Sequence, residues 1–148
     1  MNYAIHLQKA GFEGVCRLED FDWTAEITTD RRLLDAVFSL DFLNRHEHVL
    51  FVGPVGVGKS FLAQALGYTA VRAGSSVRFT RADAFFRTLA QSRVDHTLEK
   101  TFRSFLSPDL LIVDDFGLQI DSKFNRLWDK WEFITDLSYH YIFVLKKL

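Results

Sequence analysis

The chain has 148 residues, 48% hydrophobic and 25% charged, with a net charge of -1. That is the usage of one folded globular domain, and it carries no global nucleic-acid signature, so any DNA contact has to come from a local patch. The single cysteine, Cys16, excludes an internal disulfide and a cysteine-rich zinc site; the lack of a ~20-residue apolar run or of a secretory leader leads us to expect a cytoplasmic protein without a membrane association.

Residues 1–30 have weak periodicity, and Phe12, Leu18, Phe21 and Trp23 are spaced as scattered anchors of a segment expected to wrap the domain. Thr29-Asp30 caps a helix from Arg31 whose apolar positions Leu33, Leu34, Val37, Phe38 and Leu43 recur at helical spacing. His48-Val49-Leu50-Phe51-Val52 then reads as a buried strand. His46 and His48 flank Glu47 and would share a strand face, but no further ligand stands nearby in sequence, so solvated strand entry is preferred over a metal pair.

The segment Gly53-Pro54-Val55-Gly56-Val57-Gly58-Lys59-Ser60 follows, with the spacing G-x-x-x-x-G-K-[ST], and opens a packed helix at Phe61-Leu62-Ala63-Gln64-Ala65-Leu66. Backbone N–H groups can converge on an anion only if side chains do not obstruct the turn, and Gly53, Gly56 and Gly58 remove that obstruction. Lys59 supplies a point charge for the β- and γ-phosphates, and Ser60 places a hydroxyl for Mg2+ at the start of the helix. This is a phosphate-binding loop, with ATP and Mg2+ as its expected ligands and all of Gly53–Ser60 as nucleotide-binding residues.

The helix after Ser60 runs to about Arg72 and stops at Ala73-Gly74-Ser75; Val77-Arg78-Phe79-Thr80 is the next strand, which makes a βαβ unit. Thr80-Arg81-Ala82-Asp83 resembles a shortened capping box before a helix with Phe85, Phe86 and Leu89 inward, and Leu98, Phe102, Phe105 and Leu106 mark another. Pro108 stops that helix, and Leu110-Leu111-Ile112-Val113-Asp114-Asp115 suits a parallel strand buried on both faces. Asp114 would face the metal. Asp115, at the strand tip, could orient or deprotonate the attacking water, which makes Asp115 and Lys59 the catalytic candidates. Arg78, Arg81, Arg87, Arg93, Lys100 and Arg103 put basic charge on this stretch, but Asp83, Asp95 and Glu99 dilute it, and charge alone favours an ordinary solvated helical face.

Four blocks, in order, carry a family resemblance: Leu18-Glu19-Asp20-Phe21-Asp22-Trp23, the Gly53–Ser60 loop, Val77-Arg78-Phe79-Thr80-Arg81-Ala82-Asp83, and Asp109-Leu110-Leu111-Ile112-Val113-Asp114-Asp115-Phe116-Gly117. Over approximately Ala10 to Leu118 the chain resembles the IstB-like transposition helper ATPases, which belong with DnaC-like helicase loaders in the AAA+ class. The resemblance implies an ATPase that binds DNA, multimerises on it and regulates a transposase. It also implies that Lys59 and Ser60 hold ATP and Mg2+, that Asp114 supports the metal, and that Asp115 stands where many AAA+ proteins carry a catalytic glutamate. Family members continue into a sensor strand, an arginine finger and a second sensor, for which no pattern is recognisable after Leu118, as a frameshift or truncation would produce; loss of those groups is expected to lower turnover by ~10³-fold or more.

Residues 119–148 are thus a divergent tail, yet Phe124, Leu127, Trp128, Trp131, Ile134 and Leu137 recur at helical spacing behind Asp121-Ser122, and Tyr139-His140-Tyr141-Ile142-Phe143-Val144-Leu145 reads as a strand. In the AAA+ class a strand lies between the loop strand and the acidic strand. The tail either refills that slot or is an unselected end with accidental pattern. The fold expected is α/β: a P-loop NTPase of the AAA+/RecA-like kind, a parallel sheet flanked by helices and incomplete at its C-terminal side, with 1–30 wrapping a core of 31–118. The function expected is ATP binding with doubtful hydrolysis; the alternatives are a non-catalytic nucleotide-binding remnant and a small-molecule P-loop kinase.

Overall fold

Among the described residues, apolar runs form a four-stranded sheet from β1 (Val49–Gly53), β2 (Val77–Arg81), β3 (Leu110–Phe116) and β4 (Tyr141–Lys146), although Leu50 of the strand expected to be buried is 55% exposed. All neighbours are parallel, in the order β1-β4-β3-β2. The computed structural model describes residues 3–24, 30–45, 47–53, 56–116 and 141–146.

A parallel sheet must be covered on both faces, and the period of two in the strands sorts their residues accordingly. Val49, Val77, Phe79, Leu110 and Ile112 face α4 (Lys59–Arg72), which contributes Ala63, Leu66, Ala70 and Val71. On the other face Leu111 and Val113 meet Ala82, Phe85 and Leu89 of α5 (Ala82–Val94) and Phe105 of α6 (Leu98–Leu106). Small residues let α4 approach closely. A Cβ on Gly67 would lie 2.6 Å from Ile112 Cδ1 and 2.8 Å from Phe12 Cε1, so any side chain there would have to displace one or both of them. The helix ends as the glycine signal implies, with the Ser75 N–H donating to the Ala70 carbonyl over 3.0 Å.

Several elements depart from the sequence reading. The wrapping segment begins with a helix, α1 (Tyr3–Ala10), whose Ala10 is fully buried and whose Leu7 packs on the same core. Its own pattern is too weak to signal a helix, and packing against α4 and β2 stabilises it instead. The helix expected from Arg31 starts under its predicted cap, the Asp30 carboxylate accepting from the Arg32 N–H at 2.9 Å, but it splits into α2 (Arg31–Phe38) and α3 (Asp41–Asn44). Leu40 takes φ 65° at the break, and the Ser39 hydroxyl donates to the Ala36 carbonyl and accepts the Asp41 N–H, offering the backbone an alternative to the helical ladder. The shortened capping box does not form either. Arg81 holds the N-cap position of α5 with no side-chain cap, and the Thr80 hydroxyl donates to the Arg81 carbonyl.

The tail strand fills the slot between β1 and β3. Val49 pairs with Ile142 and Gly53 with Lys146 on one side; Leu111 pairs with Tyr141 and Phe116 with Leu145 on the other. Of the strand expected over Tyr139–Leu145, the part from Tyr141 forms and continues to Lys146; Tyr139, His140 and the helix expected over Phe124–Leu137 lie outside the described residues. Between Val113 and Phe116 the register with β4 shifts, because β3 carries one extra residue there. This bulge contains Asp114 and Asp115.

Candidate nucleotide-binding site

The loop after β1 is built on backbone conformations that only glycine adopts without strain. Gly56 has φ +86° and Gly58, the N-cap of α4, has φ +88°. Gly58 is fixed a second way: a Cβ there would stand 2.7 Å from Cε2 of Phe21. Pro54 and Val55 lie outside the described residues, and Gly53 closes β1. Lys59 and Ser60 are the first residues of α4, so the free N–H groups and the positive end of its dipole face the loop. Lys59 is only 9% exposed, as a cation can be where an anion is to be met.

The acidic strand comes to the same place. The Ser60 hydroxyl donates to Asp114 Oδ1 at 2.9 Å, joining two motifs 54 residues apart, and that oxygen also accepts the Asp115 N–H at 2.7 Å. Asp114 is 5% exposed. Its carboxylate and the Ser60 hydroxyl are hard oxygen donors, the kind Mg2+ selects. Among the described residues no group of three or more His, Cys, Asp or Glu side chains is assembled, so an ion here would draw its other ligands from phosphate and water, the usual habit of Mg2+. His48 joins no such group, and His46 lies outside the described residues.

Asp115 has φ 56°, inside the bulge, and the alternation of the strand is broken there. Its Oδ2 accepts from Arg81 Nη2 at 2.8 Å. Arg81 also lies 3.5 Å from Asp83 and 3.8 Å from Glu13. Asp115 above all, with Asp83 and Glu13 adding, holds the Arg81 guanidinium above its usual range. The carboxylate read as a candidate base is therefore engaged by a guanidinium from the end of β2.

That contact also revises the basic stretch. Arg78 stacks over Phe105, 3.8 Å from the ring centroid, and donates to the Ser104 carbonyl and hydroxyl; burial pushes its guanidinium below its usual range. Arg87 pairs with Asp83, and Arg103 with Glu99, each one helical turn away. Four of the six cations are thus committed within the domain.

The wrapping segment supplies a group that the sequence pattern marks only as an anchor. Phe21, 8% exposed, lies over Gly58, edge-on to Trp23 at 4.9 Å and tilted against Phe61 at 5.8 Å. The Arg31 guanidinium sits 4.6 Å from the Trp23 ring centroid. An aromatic pair two residues apart, Phe21-Asp22-Trp23, is the local signal, but nothing in it says what the pair will cover.

The sequence model of the IstB-like ATP-binding proteins matches residues 2–138, a span that begins before Ala10 and runs past Leu118, so the family pattern extends further into the tail than the four blocks indicate. An insertion-sequence ATP-binding protein of Mycobacterium tuberculosis is 35% identical over 130 residues, 88% of this chain and 51% of the relative. The IS21 ATP-binding protein of Pseudomonas aeruginosa is 37% identical over 111 residues, 75% of this chain and 42% of the relative. The chain therefore spans about half the length of the curated relatives it matches. Among solved structures, domain III of the Thermotoga maritima replication initiation protein DnaA superposes with a TM-score of 0.69 at 18% identity, over 88% of this chain and 56% of that one. The DnaC helicase loader does so with 0.67 at 22% identity, over 90% and 78%. These two likenesses show the fold, an α/β P-loop architecture of the AAA+ kind.

Proposed function

The chain belongs to the family of IstB-like ATP-binding proteins, and from that membership we propose that it binds ATP with Mg2+ in the Gly53–Ser60 loop and acts as a transposition helper on DNA with a transposase. The observation that carries the nucleotide site is the Ser60–Asp114 hydrogen bond at the mouth of the glycine loop, with the buried Lys59 beside it. In this reading loop N–H groups and Lys59 bind the phosphates, and Ser60 and Asp114 would hold the ion. Bound Mg2+ would neutralise charge on the phosphates. The insertion-sequence names of the relatives, with the DnaA and DnaC structural neighbours of this chain, support DNA and a transposase as partners. Among the described residues no helix is long and apolar enough to cross a membrane, which accords with a cytoplasmic place of action.

Hydrolysis would need Asp115 to orient or deprotonate water, and its engagement by Arg81 supports impaired turnover. The same contact favours the second reading, a nucleotide-binding module without productive hydrolysis. The test is ATP titration and phosphate release for the unaltered chain and Lys59→Ala. The unaltered chain is expected to bind ATP, the variant to bind at least roughly tenfold more weakly for loss of a charged contact, and turnover to be weak in both. Equal affinities would remove the site; brisk turnover by the unaltered chain would remove the impairment.

A further inference from the structure

With a net charge of -1, a nucleic-acid contact needs a local patch, and most cations from β2 to α6 are spent on partners within the domain. The outer side of α4 carries a different group. Tyr68 and Arg72 stand one helical turn apart there, off the stripe of Ala63, Leu66 and Ala70 that faces the sheet. Helix α1 packs alongside, and the Tyr3 ring meets the Tyr68 ring edge-on with 6.3 Å between centroids. Arg17, in the coil after α1, completes the cluster. Hydrogen bonding with Tyr3 first, and also with Arg17, holds the Tyr68 hydroxyl below the usual tyrosine range, and the charges of Arg17 and Arg72 reach both phenols. Among the described residues neither arginine has a carboxylate within ion-pair distance: Glu19 and Asp20 follow Arg17 closely in the chain without pairing with it, and Glu13 goes to Arg81. Both arginines are exposed, and Tyr3 is 41% exposed.

We infer that this outer face of α4, with Tyr68 and Arg72 flanked by Tyr3 of α1 and Arg17 of the coil behind it, binds the phosphodiester backbone of DNA. The inference rests on the reading of DNA as a partner. Phosphate oxygens accept hydrogen bonds from guanidinium and phenol groups alike, and such contacts fix a protein on a duplex without reading its sequence. With one N–H directed at Tyr68, Arg17 keeps the rest of its fork for an anion, and Arg72 presents a second fork. An arginine that only complements the C-terminal end of the α4 dipole would need no phenols beside it, and that role leaves Arg17 without a purpose. An acidic protein segment would offer carboxylates to the same forks; the insertion-sequence names of the relatives, which denote a DNA element, favour the nucleic acid. At 1.5 Å per residue, Arg72 lies roughly 20 Å along the helix from Lys59, so DNA on this face would not compete with a nucleotide in the loop.

The test is titration of a labelled duplex of mixed sequence with the whole chain over a series of salt concentrations, with thermal melts and Mg·ATP titration as checks. The unaltered chain is compared with a double variant, Arg17→Gln with Arg72→Gln, and with its charge-keeping counterpart, Arg17→Lys with Arg72→Lys. The Gln pair should bind the duplex at least roughly tenfold more weakly, and its log K against log salt should be shallower by about 2, since each phosphate neutralised contributes about 0.9. The Lys pair should keep that slope, and ATP affinity should not change in either. If the Gln pair melts early, the single substitutions replace it, each expected to take away about half of the slope change. Unchanged duplex affinity and salt slope in the Gln variants would overturn the assignment of this face while leaving the DNA reading intact. So would displacement of the duplex by poly-glutamate at equal charge concentration, the sign of a face that takes acidic protein. Failure of the unaltered chain to bind duplex would overturn both.

Discussion

If the proposed hydrolysis occurs, Asp115 faces two demands that compete for one carboxylate: activation of water and the ion pair with Arg81. Arg81 is about half exposed, and solvent screening limits such a pair to about 0–1 kcal/mol of stability. Its effect on chemistry can be larger, because a carboxylate whose lone pair accepts from a guanidinium is less free to take a proton from water. Arg81→Ala should therefore change the melting free energy by no more than about 1 kcal/mol while raising ATP turnover several-fold. Loss of turnover in that variant, measured as phosphate release under saturating Mg·ATP, would mean that the pair positions Asp115 for catalysis instead of restraining it.

Among the elements, α4 has two tasks that pull its sequence in different directions. In the proposed nucleotide site its first turn, with Lys59 and Ser60, would meet an anion; the remainder has to lie tight on a parallel sheet, which calls for Ala63, Gly67 and Ala70. The coil after α1 joins the tasks. Phe21 packs with Leu34 and Leu62 and lies over Gly58, so apolar burial in the wrapping segment fixes the start of the helix. Phe21→Ala should cost about 3 kcal/mol as a buried aromatic truncation and should weaken ATP binding as the loop loosens. Denaturant melts and nucleotide titration check the two effects separately; intact affinity at reduced stability would show that Phe21 serves the core alone.

For the molecule as a whole, the last strand in sequence stands in the middle of the sheet. Among the described strands β1 meets the rest of the sheet only through β4, since β4 pairs with both β1 and β3. Ending the chain at residue 138 removes that bridge and leaves β1 and β3 with unpaired backbone groups in what should be the centre of the sheet. We expect such a truncated chain to lose its cooperative thermal transition, followed by circular dichroism, and to show no stabilisation by Mg·ATP. A melt unchanged from that of the whole chain would mean that the tail strand contributes nothing to the fold.

The loop and the acidic strand are legible in the sequence because their information is local. The glycines, Lys59 and Ser60 stand at a spacing fixed by the geometry of one turn, and Leu110–Val113 by the burial of one strand. The split at Leu40, the helix at Tyr3–Ala10 and the uncapped start of α5 are not legible there, since packing or a competing side-chain hydrogen bond outweighs weak local preference. Sequence by itself determined the glycine loop with its Lys59 and Ser60, the acidic strand end proposed to face it, and that a tail strand was available. Tertiary structure decided that Arg81 would meet Asp115, 34 residues away, that Phe21 would cover Gly58, and that β4 would enter between β1 and β3 with Lys146 beside Gly53. Strand order and register arise from contacts between distant segments, and no local spacing encodes them.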